Sequence, residues 1–210
     1  MFIEQIPKIL RLFLKGVLWR MSPTEKSIYI TFDDGPTVEN TVWILDLLDK
    51  YGIKATFFCV GRNVEKYPEL YSEILKRGHS TGVHGYDHKR GHYKDDSIFM
   101  TDIKKAGELI ESHLFRPPHG HIKPSQIKAL SGKYQVVLWD VLTRDYDQNL
   151  NGDKVLDIAK RYSRNGSIVV FHDSVKATGN MRYALPKAIE YWIGQGFEFK
   201  KLVNKGEFLE

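Results

Sequence analysis

The chain has 210 residues, 42% hydrophobic and 27% charged, the proportions of an ordinary globular domain long enough to bury a substantial core. Its 31 Lys and Arg against 26 Asp and Glu leave a charge of +5. That excess is spread along the chain with no dense basic block among aromatics, so no nucleic-acid partner is expected. A single cysteine excludes an internal disulfide, and no apolar run reaches transmembrane length.

In chain order, residues 1–21 place Ile6, Ile9, Leu10, Phe13, Leu14, Val17 and Leu18 at helical spacing, with Lys8, Arg11, Lys15 and Arg20 between them. The pattern predicts an amphipathic helical segment over 1–26, packed on a domain that fills 27–210. Its basic face also suits contact with a membrane surface. It lacks the uninterrupted apolar stretch and the cleavage site of a secretory signal, so a cytoplasmic or membrane-peripheral protein is expected. Strands are predicted at 28–32, 55–60, 80–83, 114–116, 134–139, 167–171 and 197–200. Helices are predicted between them at 40–50, 64–76, 97–112, 123–130, 153–162 and 184–194. Gly52, Gly78, Gly166 and Gly196 stand just past predicted helices, as C-terminal caps do. Repeated strand–helix units imply a parallel sheet, either a barrel or an open doubly wound sheet, and periodicity does not choose between them. Cys59, in an apolar strand, reads as a buried small residue.

The chemistry concentrates at strand ends. Asp33 and Asp34 follow an apolar run and precede Gly35 and Pro36. Side chains alternate along a strand, so two neighbouring carboxylates cannot both face a core. At a strand end both can reach one cleft, where one binds a metal and the other stays free as a base. The same residues are also ordinary turn chemistry. His84 and His88 are four apart, the spacing that puts two imidazoles on one face of a helical turn. Two His and one carboxylate make a three-ligand set with open positions, the layout of a catalytic metal site. Downstream come Arg116-Pro117-Pro118-His119-Gly120, then Trp139 to Tyr146, then Ile168 to Asp173, each at the end of a predicted strand. His172, closing a buried strand, needs a hydrogen-bond partner.

These five segments, in this order, resemble the polysaccharide deacetylases of carbohydrate esterase family 4, the NodB-like domain. The resemblance runs from about Ser27 to about Leu202. It implies an irregular (β/α)7 barrel with its site at the carboxyl ends of the strands. It implies that Asp34, His84 and His88 hold a divalent metal, zinc first, with cobalt, nickel or manganese as alternatives. Asp33 would be the general base, paired with Arg116, and His172 the general acid, backed by Asp145. The backbone N–H of His119 would help to stabilise the oxyanion, and Tyr146 and Val170 would line the acetyl pocket and sugar groove. His79, His92, His113 and His121 match no ligand position, and His92 reads as a rim residue.

Three departures stand out. Gly85 replaces the Ser or Thr usual after the first metal His, so the metal loop is expected to be looser. Leu142 stands where an Asp is frequent, and Tyr146 and Val170 replace Trp and Leu. The activity implied is metal-dependent removal of N-acetyl, or alternatively O-acetyl, groups from a carbohydrate. N-acetylglucosamine of a bacterial cell-wall-type polysaccharide is the leading substrate. The alternatives are a deformylase or deacetylase of a lipid-linked sugar, and a carbohydrate-binding protein without turnover. The sequence sets no oligomeric state.

Overall fold

A computed structural model of the chain describes residues 4–5, 14–91 and 96–203. Among them, nine strands form one sheet: β1 (Val17–Leu18), β2 (Ser27–Asp33), β3 (Thr56–Cys59), β4 (Ser80–Val83), β5 (Leu114–Phe115), β6 (Gln135–Val137), β7 (Val141–Leu142), β8 (Ser167–His172) and β9 (Glu198–Phe199). The order is β1-β6-β5-β4-β3-β2-β8-β7, with β9 also on β2, and every ladder is parallel. The helices are α1 (Thr41–Lys50), α2 (Gly61–Lys66), α3 (Pro68–Lys76), α4 (Asp96–Ala106), α5 (Pro124–Leu130), α6 (Gly152–Tyr162) and α7 (Thr178–Gly194). No helix among the described residues is long and apolar enough to cross a membrane.

The sheet curls until its ends meet. Past β6 the Leu138 N–H donates to the Leu18 carbonyl at 2.8 Å, and two residues later the Asp140 N–H donates to Ile168 of β8 at 3.0 Å. The chain thus steps from one edge strand to the other, while Arg20 bridges Ser167 antiparallel. The result is the irregular (β/α)7 barrel implied by the motifs. Wholly buried Asp140 fastens the junction: it accepts from Arg164 Nε at 2.9 Å and Nη2 at 2.6 Å, and from Ser167 Oγ at 2.8 Å.

Every residue of β2 is buried, as in a strand covered on both faces. Alternation divides it. Ile28, Ile30 and Phe32 join the large core beneath the helices. Tyr29 joins a smaller cluster with Phe58, Leu114, Val137 and Ile168, which fills the barrel interior. By the same period of two, Thr31 and Asp33 on β2, His84 after Gly82 and Arg116 after Leu114 fall on the interior side. His172 after Val170 does so too.

Several local predictions are corrected. Val17 and Leu18 form a strand paired with Val136 and Val137, not part of a helix; of the other helical positions, residues 1–3 and 6–13 lie outside the described residues. β7 was not foreseen either, and a two-residue strand is too short to show a period. The predicted helix at 64–76 is two helices. Tyr67 leaves helical geometry at φ −132°, ψ 60°, and Pro68, which cannot donate within a helix, opens the second one. Gly52, Gly78 and Gly196 do follow α1, α3 and α7 with positive φ, but Gly166 lies in the turn into β8, past the end of α6.

Asp140→Asn should lower stability by about 2 kcal/mol, since bonds to a charged group contribute about 1.5–3 kcal/mol. Urea unfolding would show it as a lower midpoint. An unchanged midpoint would mean that this junction is not held by the Asp140–Arg164 pair.

Candidate active site

Register brings the functional residues to one level. Asp33 is the ladder partner of His172 on β8 and of Phe58 on β3. His84 follows β4 with its N–H on the Cys59 carbonyl at 2.9 Å, and Arg116 follows β5 with its N–H on Val83 at 2.9 Å. Four strand ends therefore deliver a carboxylate, two imidazoles and a guanidinium to one end of the barrel axis.

Arg116 is fully buried there. Its Nη1 donates to Asp33 Oδ1 at 2.6 Å and to Thr31 Oγ1 at 2.7 Å, and Nη2 donates to the Leu138 carbonyl at 3.1 Å. The guanidinium lies 4.0 Å from the centre of the Phe58 ring. Burial pushes its pKa below the ordinary value, against the opposing charge of Asp33. An arginine so placed still keeps its proton at neutral pH.

Asp34 escapes the alternation that sends Asp33 inward because its φ is +82°. Its carboxylate meets His88 Nε2 at 3.2 Å and His84 Nε2 at 3.6 Å. The three donor atoms lie within 4.8 Å of one another. Donors around a tetrahedral zinc sit roughly 3.3 Å apart, given bonds of about 2.0–2.1 Å, so the set fits such an ion. The predicted helical turn is absent: residues 84–88 form an irregular loop, with Gly85 at φ +75° and His88 at φ +57°. His84 Nδ1 is bonded to the Arg116 carbonyl at 2.7 Å, which leaves Nε2 as the ligating nitrogen. Burial lowers the His84 pKa to about 4, so the ring is neutral at pH 7, the form that binds metal. Burial raises the pKa of Asp34, but the His88 hydrogen bond and the charges of His172, His84 and His88 outweigh it and hold the carboxyl well below the usual range.

Beside Asp33, on β8, His172 Nδ1 bonds Asp145 Oδ1 at 2.7 Å, and the His172 backbone N–H donates to Asp145 Oδ2 at 2.7 Å. Asp145 is wholly buried, and its carbonyl accepts from Asn180 Nδ2 at 3.2 Å. Burial alone would lower the His172 pKa. The charge and hydrogen bond of Asp145 reverse this and lift it to about 9. The Tyr146 ring stands edge-on to His172 at 4.7 Å. Val170 is wholly buried in a cluster with Trp19, Leu138, Trp139 and Leu142, against which Tyr146 packs. His119, at φ +59°, sits over the site with its ring 4.5 Å from that of His88.

Of the remaining histidines, His79 is buried and accepts the Ala55 N–H at 3.1 Å, a packing role. His113 faces the Lys133 carbonyl, His121 lies beyond His119, and His92 lies outside the described residues. Sequence reasoning gave no role to Asp102 of α4, whose carboxylate accepts from the Tyr86 and Asp87 N–H groups, each at 2.9 Å. These bonds tie down the loop that Gly85 was expected to loosen. Asp173 is buried beside Gly35, where any side chain carbon would fall 2.0 Å from its Oδ2. Burial raises the Asp173 pKa to about 8.

The polysaccharide deacetylase family model matches residues 20–136. A peptidoglycan-N-acetylglucosamine deacetylase of Bacillus cereus is 34% identical over 190 residues, covering 87% of this chain and 89% of that protein. A solved Bc1960 peptidoglycan N-acetylglucosamine deacetylase, in complex with 4-naphthalen-1-yl-N-oxidanyl-benzamide, superposes with a TM-score of 0.84 at 28% identity, covering 94% of this chain and 95% of that one. A mutant of BA3943, a CE4 family pseudoenzyme with restored enzymatic activity, superposes with a TM-score of 0.80 at 26% identity, covering 91% and 70%. The chain belongs to the polysaccharide deacetylase family, carbohydrate esterase family 4. It is a hydrolase of that class, acting on a carbon–nitrogen amide bond of an acetylated carbohydrate.

A raised His pKa contributes stability that is complete below the unfolded value of 6.5 and is lost as pH rises through about 9. NMR titration of His172 should show its ring protonated to about pH 9, and Asp145→Asn should move the midpoint to lower pH. An unmoved midpoint would mean that Asp145 does not support the imidazolium. His84→Ala and His88→Ala should each release a divalent metal on dialysis, read by elemental analysis. Full retention in both would place the metal elsewhere.

Proposed function

We propose that this protein removes the N-acetyl group from N-acetylglucosamine in a bacterial peptidoglycan-type glycan. The observation that carries the reading is the convergence of two supported titratable groups, Asp33 on Arg116 and His172 on Asp145, at the same strand ends as the Asp34–His84–His88 set. A binding protein needs neither a base nor an acid, so the intact pair opposes the reading of a carbohydrate-binding fold without turnover.

Asp34, His84 and His88 would hold the divalent metal, and zinc suits their two imidazoles and one carboxylate. Such an ion supplies Lewis-acid activation of water and of the acetyl carbonyl. Asp33, held by Arg116, takes the proton of the attacking water as oxygen adds to the acetyl carbon. The His119 backbone N–H would help to stabilise the developing oxyanion. His172 carries its proton on Nε2, the nitrogen that Asp145 leaves free, and gives it to the sugar nitrogen as the C–N bond breaks. Acetate and a free amine result. Tyr146, beside His172, bounds the acetyl pocket. A groove of about 490 Å³ lined by Gln148, Leu150, Val175, Lys176 and Asn180 would receive the neighbouring sugar units; Val175 is three residues past His172, and Asn180 is bonded to Asp145. Its size lies in the usual range for a ligand pocket, about 300–1,000 Å³.

The panel that tests this is a set of acetylated glycans: peptidoglycan fragments, chitooligosaccharides and O-acetylated xylan, with acetate release measured with and without added zinc. Zinc-dependent acetate release from N-acetylglucosamine units is expected. Asp33→Asn and His172→Ala should each lower kcat by about 10²–10⁴-fold, the usual worth of a general base or acid. No acetate from any N-acetylated glycan would overturn the reading, and full activity in either variant would overturn the role of that residue.

A further inference from the structure

The loop between the two histidines of the metal site has no hydroxyl after His84, only Gly85, and is nonetheless held by four hydrogen bonds of its backbone. The Gly85 and Tyr86 carbonyls accept from the Gly61 and Arg62 N–H groups at the start of α2, at 2.8 and 3.1 Å. The Tyr86 and Asp87 N–H groups have one acceptor between them, the two carboxylate oxygens of Asp102, at 2.9 Å each. Asp102 is 5% exposed, although it lies on a helix whose other buried residues, Phe99, Ile103 and Ala106, are apolar. Lys89, just past His88, approaches the same carboxylate at 3.8 Å. One side chain therefore holds the backbone just before His88, a ligand whose own φ of +57° is unfavourable for a non-glycine residue.

Gly85 fits this arrangement in a second way. A side chain carbon at Gly85 would lie 2.6 Å from Asp102 Oδ2, inside contact distance, and its φ of +75° disfavours any other residue. The glycine opens the space through which the carboxylate reaches the loop, so the two residues act as a unit.

We propose that Asp102 is a positioning residue for the metal site: it holds the 85–87 loop so that His88 Nε2 converges with His84 Nε2 on Asp34, and Gly85 is the residue that admits it. The inference rests on the metal-site reading above. It places one determinant of metal affinity on α4, outside the five motif segments.

The test is zinc affinity of the full chain, by competition against a chromophoric chelator, with the melting temperature of the metal-free protein measured alongside. Asp102→Ala removes both acceptors and should weaken zinc binding about 10–100-fold, the usual effect of losing a group that orients a ligand. Asp102→Asn, near-isosteric, keeps one acceptor and should fall between. Gly85→Ala should weaken binding in the wild-type background and by a smaller factor in the Asp102→Ala background, because the collision is gone there. Zinc affinity unchanged in Asp102→Ala and Asp102→Asn would overturn the proposal. So would a loss confined to the melting temperature, which a merely structural aspartate would give, or equal Gly85→Ala factors in the two backgrounds. A wild-type protein that binds zinc but releases no acetate would overturn the deacetylase reading alone.

Discussion

The site depends on a charge buried at the axis of the barrel. Arg116 has no solvent, so its guanidinium is satisfied by Asp33, Thr31 and the carbonyl of Leu138. Removing one partner of such a pair leaves an uncompensated buried charge, a cost of about 3–5 kcal/mol. The pair therefore fixes Asp33 in place and keeps it apart from the neighbouring Asp34, which is turned toward the histidines. Two adjacent carboxylates in one cleft acquire different partners, and different partners give them different chemistry. The carbonyl of Arg116 also sets the tautomer of His84. One residue thus orients both the proposed base and a proposed metal ligand.

The remaining order comes from register and from local backbone strain. Parallel pairing of β2 with β8 puts Asp33 beside His172. The non-glycine residues with positive φ among the described residues are Asp34, His88, His119 and Arg144: three site residues and the neighbour of Asp145. Each such conformation is held by its surroundings and costs of order 1–3 kcal/mol. Asn63 on the Asp34 carbonyl and Asp102 beneath the His84–His88 loop are visible restraints of that kind. Stability is spent where geometry must be held for the reaction.

Much of this was legible in the sequence. The apolar runs Tyr29 to Phe32 and Ile168 to Phe171 and the glycines after α1 and α3 led to a parallel sheet, and the resemblance carried by the motif segments led to a barrel with its site at the strand ends. Periodicity alone left barrel and open sheet undecided, because the closure depends on hydrogen bonds of residues 138–142 that carry no period. β1 and β7, two residues each, were too short to show a period. The His84–His88 spacing was misread as a helical turn, since convergence in an irregular loop and convergence on a helix face leave the same four-residue interval. Asp102 gave no signal, because its partners are backbone groups about fifteen residues away and any chain supplies those.

Anomalous diffraction from crystals grown with zinc tests the central claim most directly. The account predicts one strong peak whose nearest protein atoms are a carboxylate oxygen of Asp34, Nε2 of His84 and Nε2 of His88, with Asp33 still paired to Arg116. A peak ligated by Asp33 with its bond to Arg116 broken, or no peak among these three residues, would contradict it.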